Sequence, residues 1–284
     1  MINWQGFRTN YRLWERRCLY PLISVIVALS VCFITPLPSK AIDLLPLLFQ
    51  GVQIFNLSNI SDHQEVNLGQ QMNQQLQQEV KISDNSELHD YINEIGRRLA
   101  ANSDRPNIPY TFQVVEDAAI NAFATTGGFI YVNTGLLKAA DNEAELASVL
   151  AHEMGHIEGK HLIKQIRQQA ITNGVATIAG LDKNKAVGIG VQLALNLPRS
   201  RKDEFDADKR GLANITRTGY AQSAMISFMK KLQSSSSVPT FLSTHPGASD
   251  RVISLQRQIN NQPSNQNNGL DNLAYQSKIR AFLQ

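Results

Sequence analysis

The chain is 284 residues long, 43% hydrophobic and 18% charged, with a formal net charge of +3 and two cysteines. That length suits one domain with additions. Residues 1–41 hold five of the 27 Lys and Arg but only one of the 24 Asp and Glu, so the rest carries 22 basic and 23 acidic groups. With a net charge of −1 there, and no basic tract interleaved with aromatics, nucleic acid is excluded as an expected partner.

The N-terminus reads as a targeting segment. Arg8, Arg12, Arg16 and Arg17 precede an uncharged run from Cys18 to Thr35, which Pro36 and Pro38 break. Ser39-Lys40-Ala41 then offers a small-x-small pattern, so residues 1–41 are expected to be a signal peptide cut after Ala41. An uncleaved anchor is the alternative, because the run is near the lower length limit for a bilayer span. Either way the protein is expected to be exported, periplasmic or membrane-associated on the non-cytoplasmic side. Cys18 and Cys32 both fall in this leader, so the remainder needs no disulfide. Leu44–Phe49, with Val52, Ile54 and Phe55, is apolar but broken by Pro46 and Gly51, and is expected to pack on the domain.

A Gln-rich helix is predicted over 62–80 and a second over 84–102, the latter with Asp84 and Glu87 as a capping box. Tyr110–Val115 and Gly128–Val132 are strand-like, rich in β-branched and aromatic residues. Asn133 or Thr134 caps a short helix through Ala140. The next helix, Ala144 to Lys160, is capped by Asn142 with Glu145 three residues on. Leu146, Val149, Leu150 and Ile157 give it one apolar side.

That helix carries His152-Glu153-Met154-Gly155-His156. Histidines four apart lie on one helix face, about 40° apart around the axis, and their imidazoles can grip one ion. Zinc takes imidazole nitrogen and works catalytically with three protein ligands and a water, which Glu153 can reach as general base. Random placement of 6 His and 11 Glu in 284 residues yields roughly 0.005 such motifs, so the motif needs support from its context. Gly155 weakens the helix by about 1 kcal/mol relative to Ala, tolerable where its backbone must approach another element or the metal. His161 reads as a solvated histidine favoured by the helix dipole at the helix end.

Residues 162–180 and 184–196 read as a helical hairpin too short to span a bilayer. In the next helix Glu204 and Asp208 are i,i+4 and share a face. Glu204 suits a third zinc ligand, and Asp208 suits a hydrogen bond to a ligand histidine's other nitrogen. The alternative is a charged helix face paired with Arg201, Lys202, Lys209 and Arg210. Further helices are predicted at 221–233, 248–260 and 271–283. Ser234–Ser237 forms a connector between the first two, and Asn/Gln-rich Asn260–Asn268 forms a loop. The expected organisation is leader 1–41, catalytic domain 42–262 and a C-terminal piece 263–284, without internal repeats.

Several motifs occur in a fixed order: Asn121-Ala122-Phe123-Ala124, Gly127–Val132, Gly135-Leu136-Leu137, the His-Glu-x-x-His helix, Ser200–Asp208, and Ser243-Thr244-His245-Pro246 with Arg251. Over roughly residues 60–260 the chain resembles the zinc metallopeptidases related to the CAAX prenyl protease, HtpX, BepA and LoiP. The resemblance implies an α+β, mostly helical, zincin-like fold with a small sheet whose edge strand lines the cleft. It implies one Zn2+ held by His152, His156 and Glu204, with Glu153 as base and Asp208 in support. His245 would lie near the zinc, either stabilising the oxyanion or closing the open coordination site. Asn121, Ala122, Phe123 and Ala124 would bind an extended peptide by β-augmentation. The implied partners are unfolded or misfolded proteins, with peripheral contact to a membrane or to outer-membrane assembly machinery. Repeat-based docking, found in members that continue into helical repeats, is not expected. Two rival readings remain: a protease-like chaperone that cleaves little, and a structural metal site.

Overall fold

The computed structural model describes residues 54–55, 57, 59–173, 181–235 and 237–283. The leader 1–41, the apolar stretch after it up to residue 53, and residues 174–180 of the expected hairpin lie outside the described residues.

β1 (Ile54–Phe55) leads to α1 (Asp62–Glu79), which starts at a full capping box. Ser61 accepts from Gln64 N, and the Gln64 side chain accepts from Ser61 N. The helix α2 (Ser86–Ala101) starts one residue later than the expected Asp84/Glu87 box allows. Its cap is Asn85, which accepts from Leu88 N at 2.9 Å, while its amide donates to Phe282 O at 2.8 Å. A contact 197 residues away thus selects the cap, which local spacing could not show.

The strands β2 (Thr111–Val115), β3 (Ala122–Ala124) and β4 (Phe129–Asn133) form a sheet in the order β2-β4-β3. The central β4 pairs parallel with β2, Thr111 opposite Phe129, and antiparallel with β3, Phe123 opposite Tyr131. Gly127 and Gly128, with φ of 71° and 103°, make the turn between β3 and β4 in a region closed to most side chains. Alternate residues point to opposite faces, and both faces are buried. Phe112, Val114, Ile130 and Val132 join one core with Leu88, Ile92, Ile95 and Leu99 of α2. Val115, Phe123, Phe129 and Tyr131 join a second with Leu68, Met72 and Leu76 of α1.

After the short α3 (Thr134–Ala139) comes α4 (Glu143–Glu158), capped by Asn142 accepting from Glu145 N. The carboxylate of Glu145 returns to Asp141 N at 2.9 Å, one residue short of a reciprocal box. Every residue of α4 from Ala144 to Glu158 is buried, so the one-sided pattern understates its burial. The reason is that α7 (Arg201–Thr218) covers a face made of small residues. A Cβ on Gly155 would lie 2.6 Å from Ala207 O, and one on Gly211 would lie 3.1 Å from His152 N. The close approach expected at Gly155 is therefore backbone to backbone.

On the second core lie α5 (His161–Thr172) and α6 (Lys183–Asn196), the latter preceded by β5 (Leu181–Asp182), which pairs antiparallel with β1. The chain closes with α8 (Ser223–Gln233), α9 (Thr240–Thr244), α10 (Ala248–Asn261) and α11 (Asn272–Phe282). The Asn/Gln-rich loop before α11 is tied down: Gly269 O accepts from Ala144 N at 2.9 Å, at the start of α4. The described residues are mostly helical, with one three-stranded mixed sheet and the two-stranded β1–β5 pair, as the resemblance implies. Among the described residues no helix is long and apolar enough to cross a membrane.

Candidate metal centre

Helices α4 and α7 and the turn after α9 converge on one point. From α4, His152 Nε2 and His156 Nε2 lie 3.2 Å apart. From α7, Glu204 places Oε1 3.3 Å from His156 Nε2 and Oε2 3.5 Å from His152 Nε2. From the turn, His245 Nδ1 lies 3.2 Å from Glu204 Oε1 and 3.3 Å from His152 Nε2. One donor atom from each of the four residues lies within 4.8 Å of all the others. Zinc–ligand bonds of about 2.0–2.1 Å in a tetrahedron require donors about 3.3–3.4 Å apart. These five spacings, 3.2–3.5 Å and taken over both Glu204 oxygens, lie near that value, and imidazole with carboxylate is a donor set zinc accepts. The structure therefore brings together the three residues expected as ligands, with His245 beside them.

Glu153, beside the cluster, has no exposed surface, and neither carboxylate oxygen has a hydrogen bond. His245 Nε2 lies 3.4 Å from its Oε1. A buried, unpaired carboxylate is costly. A water held at the centre would satisfy it, so this position also fits a catalytic metal site.

Asp208 meets its expected contact: Oδ1 is 2.9 Å from His152 Nδ1. The same carboxylate accepts two hydrogen bonds from Arg251, each 2.7 Å, and Arg251 Nη1 lies 2.6 Å from Glu204 Oε2. Arg251, on α10, is 1% exposed. Burial opposes ionisation of Asp208, but the Arg251 charge prevails and holds its carboxyl below the usual range. Glu204 is also held well below it: burial pushes up, but the surrounding histidines, His245 first, pull harder down. Burial and the Arg251 charge depress His152, yet its hydrogen bonds to Asp208 and Glu204 outweigh them and raise it to about 9. Burial pushes His156 well below its ordinary value.

The Asn121–Ala124 segment is the sheet's edge and packs against α4. One outer group is already bonded by the chain itself, Arg199 Nη2 donating to Ala124 O at 3.1 Å, and just before the segment Phe241 N donates to Ile120 O at 3.0 Å. Arg199 N in turn donates to Thr244 O at 3.0 Å. His245 stacks on Phe241 with ring centroids 4.4 Å apart. All four candidate ligands are buried, so no histidine emerges into an open cleft.

Two residues, His161 and Arg199, were not legible as part of this site, and Arg251, present in the motif series, had no assigned role. His161 is 1% exposed and contacts His156 at 2.9 Å, not solvated as its position near a helix end predicts. The role of Arg251 and the presence of Arg199 depend on partners 43 and 75 residues away, and no spacing rule encodes them.

Residues 86–259 match the model of peptidase family M48. The chain is 30% identical over 226 residues to the putative beta-barrel assembly-enhancing protease of Vibrio cholerae serotype O1, covering 72% of this chain and 46% of that protein. It is 27% identical over 254 residues to the beta-barrel assembly-enhancing protease of Escherichia coli K12, covering 84% and 51%. Against metalloprotease LoiP of the same strain identity is 26%, covering 86% of this chain and 96% of that protein. The chain thus spans about half the length of the beta-barrel assembly-enhancing proteases it matches.

Proposed function

Because the chain belongs to peptidase family M48, whose members are zinc metallopeptidases, we propose that it is a zinc-dependent endopeptidase of unfolded or misassembled envelope proteins. The observation that carries this reading is the donor cluster of His152, His156, Glu204 and His245 beside Glu153, a buried carboxylate without a hydrogen bond. Bound zinc supplies a Lewis acid and lowers the pKa of a water to about 7. His152, His156 and Glu204 hold the metal. Glu153 takes the proton of the attacking water and passes it to the leaving nitrogen. Asp208 keeps the His152 hydrogen on Nδ1, leaving Nε2 free to bind.

His245 acts as a gate. With its Nδ1 among the donor atoms of Glu204 and His152, it would have to leave before a substrate carbonyl could enter, and its stacking on Phe241 and the Phe241–Ile120 bond hold it in place. The displaced imidazole can then hydrogen-bond the oxyanion. An extended peptide pairs with Asn121–Ala124 only after Arg199 releases Ala124 O. This closure supports a second reading, in which the resting protein binds unfolded chains and cleaves little until the gate opens. The leader supports export to the periplasm or the outer face of a membrane. The relatives named beta-barrel assembly-enhancing proteases support contact with outer-membrane assembly.

Glu153→Gln is expected to keep zinc and to lose casein cleavage by a factor of about 10²–10⁴. Undiminished cleavage would remove Glu153 from the role of base. His245→Ala is expected to raise casein cleavage, and a fall would assign His245 to the oxyanion alone.

A further inference from the structure

Gly159 and Lys160, between α4 and α5, are shaped around one side chain. Gly159 has φ of −74°, a value any residue adopts, so backbone freedom does not explain the glycine. Space does: a Cβ there would lie 2.2 Å from His161 Nε2 and 2.7 Å from its Cδ2 and Cε1. Lys160 follows with φ of 52°, the one positive value at a non-glycine among the described residues. This left-handed step, which L side chains rarely take, turns His161 back toward α4.

His161 Nδ1 lies 2.9 Å from His156 Nδ1, and His161 Nε2 lies 3.1 Å from Asp206 Oδ2. Asp203 Oδ1 stands 3.6 Å from the same nitrogen. Arg210 Nε donates to Asp206 Oδ2 at 2.8 Å. Two imidazole nitrogens at hydrogen-bond distance share one hydrogen, so the direction of the line can be worked out. If His156 binds metal through Nε2, its Nδ1 carries the hydrogen and donates. His161 Nδ1 must then be bare, and its Nε2–H points at Asp206.

We propose that His161 is a positioning residue for the zinc ligand His156. Its imidazole takes the place usually filled by a carboxylate or a carbonyl, fixing His156 as the Nδ1–H tautomer and holding its ring plane. Asp206 anchors His161 in turn, and Gly159 with Lys160 seats it. The inference rests on the reading of His156 as a ligand.

The test compares zinc dissociation constants, by competition with a chromophoric chelator, for the parent chain and four variants, with circular dichroism as the fold check. His156→Ala should lose zinc. His161→Phe and Gly159→Ala, which leave every ligand in place, should weaken zinc about 10–100-fold. His161→Asn, whose Oδ1 can accept the same hydrogen, should recover most of that loss, which a merely space-filling role would not predict. Parental affinity in His161→Phe, with zinc lost in His156→Ala, would overturn the inference and leave the ligand reading intact. Parental affinity in His156→Ala would bring down the ligand reading itself. One measurement needs no variant: long-range ¹H–¹⁵N correlation on the zinc-loaded parent should show His161 protonated on Nε2 only. A hydrogen on its Nδ1 would overturn the proposal.

Discussion

His152 and His156 sit one turn apart on α4, and each leans on an acid from α7, but the two supports are built differently. His152 meets Asp208 directly, and Asp208 meets Arg251; both partners are 1% exposed. His156 reaches its acid through His161, and the side chains of Asp206 and Arg210 are 36% and 30% exposed. In the first arm, charges taken out of water cancel only as a complete set, so it belongs to the folding core. The second arm ends in solvent, where charge is screened and inexpensive. The same ligand chemistry is thus bound to stability on one side and nearly independent of it on the other.

The contrast breaks most readily at Arg251. Arg251→Ala leaves Asp208 and Glu204 buried without their cation, and should cost about 3–5 kcal/mol in urea unfolding of the metal-free protein. A loss under about 1 kcal/mol would show that the inner arm is not part of the core.

The next effect is that of pH on the same arm. The pKa of His152 is raised to about 9 in the fold, against 6.5 ordinarily, so its contribution to metal-free stability is full below about 6.5. That contribution is lost as pH rises through about 9, and the melting temperature of the metal-free protein should fall over that window. Zinc must displace this proton, so its affinity should move the opposite way, rising by up to about tenfold per pH unit and levelling above about 9. A flat zinc affinity between pH 6.5 and 9 would contradict the raised His152.

Asp208→Asn is milder. It removes the charge but keeps the shape, and should weaken zinc about 10–100-fold in a chelator competition. Arg210→Ala, on the outer arm, should be the smallest, about 0–1 kcal/mol in the same urea assay and vanishing at high salt. If it matched Arg251→Ala, the two arms would not differ as described.

The sequence makes one half of this contrast far easier to see than the other. The Asn142 cap, the His-Glu-x-x-His spacing and the Glu204/Asp208 pair are local signals within one or two helical turns, and the structure places all of them together. The strands are legible for the same reason, as short β-branched and aromatic runs. What is illegible depends on tertiary partners. The burial of His161 needs a left-handed lysine and a glycine that clears its ring, and neither has meaning until α7 is in place. Arg251 stands in the motif series without an assigned partner until Asp208 and Glu204 face it. The full burial of α4 hides behind Ala144, Ala147 and Ala151, which look like helix-forming filler but are buried with Gly155 against neighbouring elements.

The crossing at Gly155 and Gly211 works as a calliper. Where two backbones touch without intervening side chains, the gap between helices is set by atomic radii and has little slack. His152 and His156 ride on one jaw and Glu204 on the other, so the opening between them is fixed before any ion arrives. An ion with bonds of about 2.0–2.1 Å fits that opening. A side chain at either glycine would therefore reset the gap between the two helices without changing a single ligating atom.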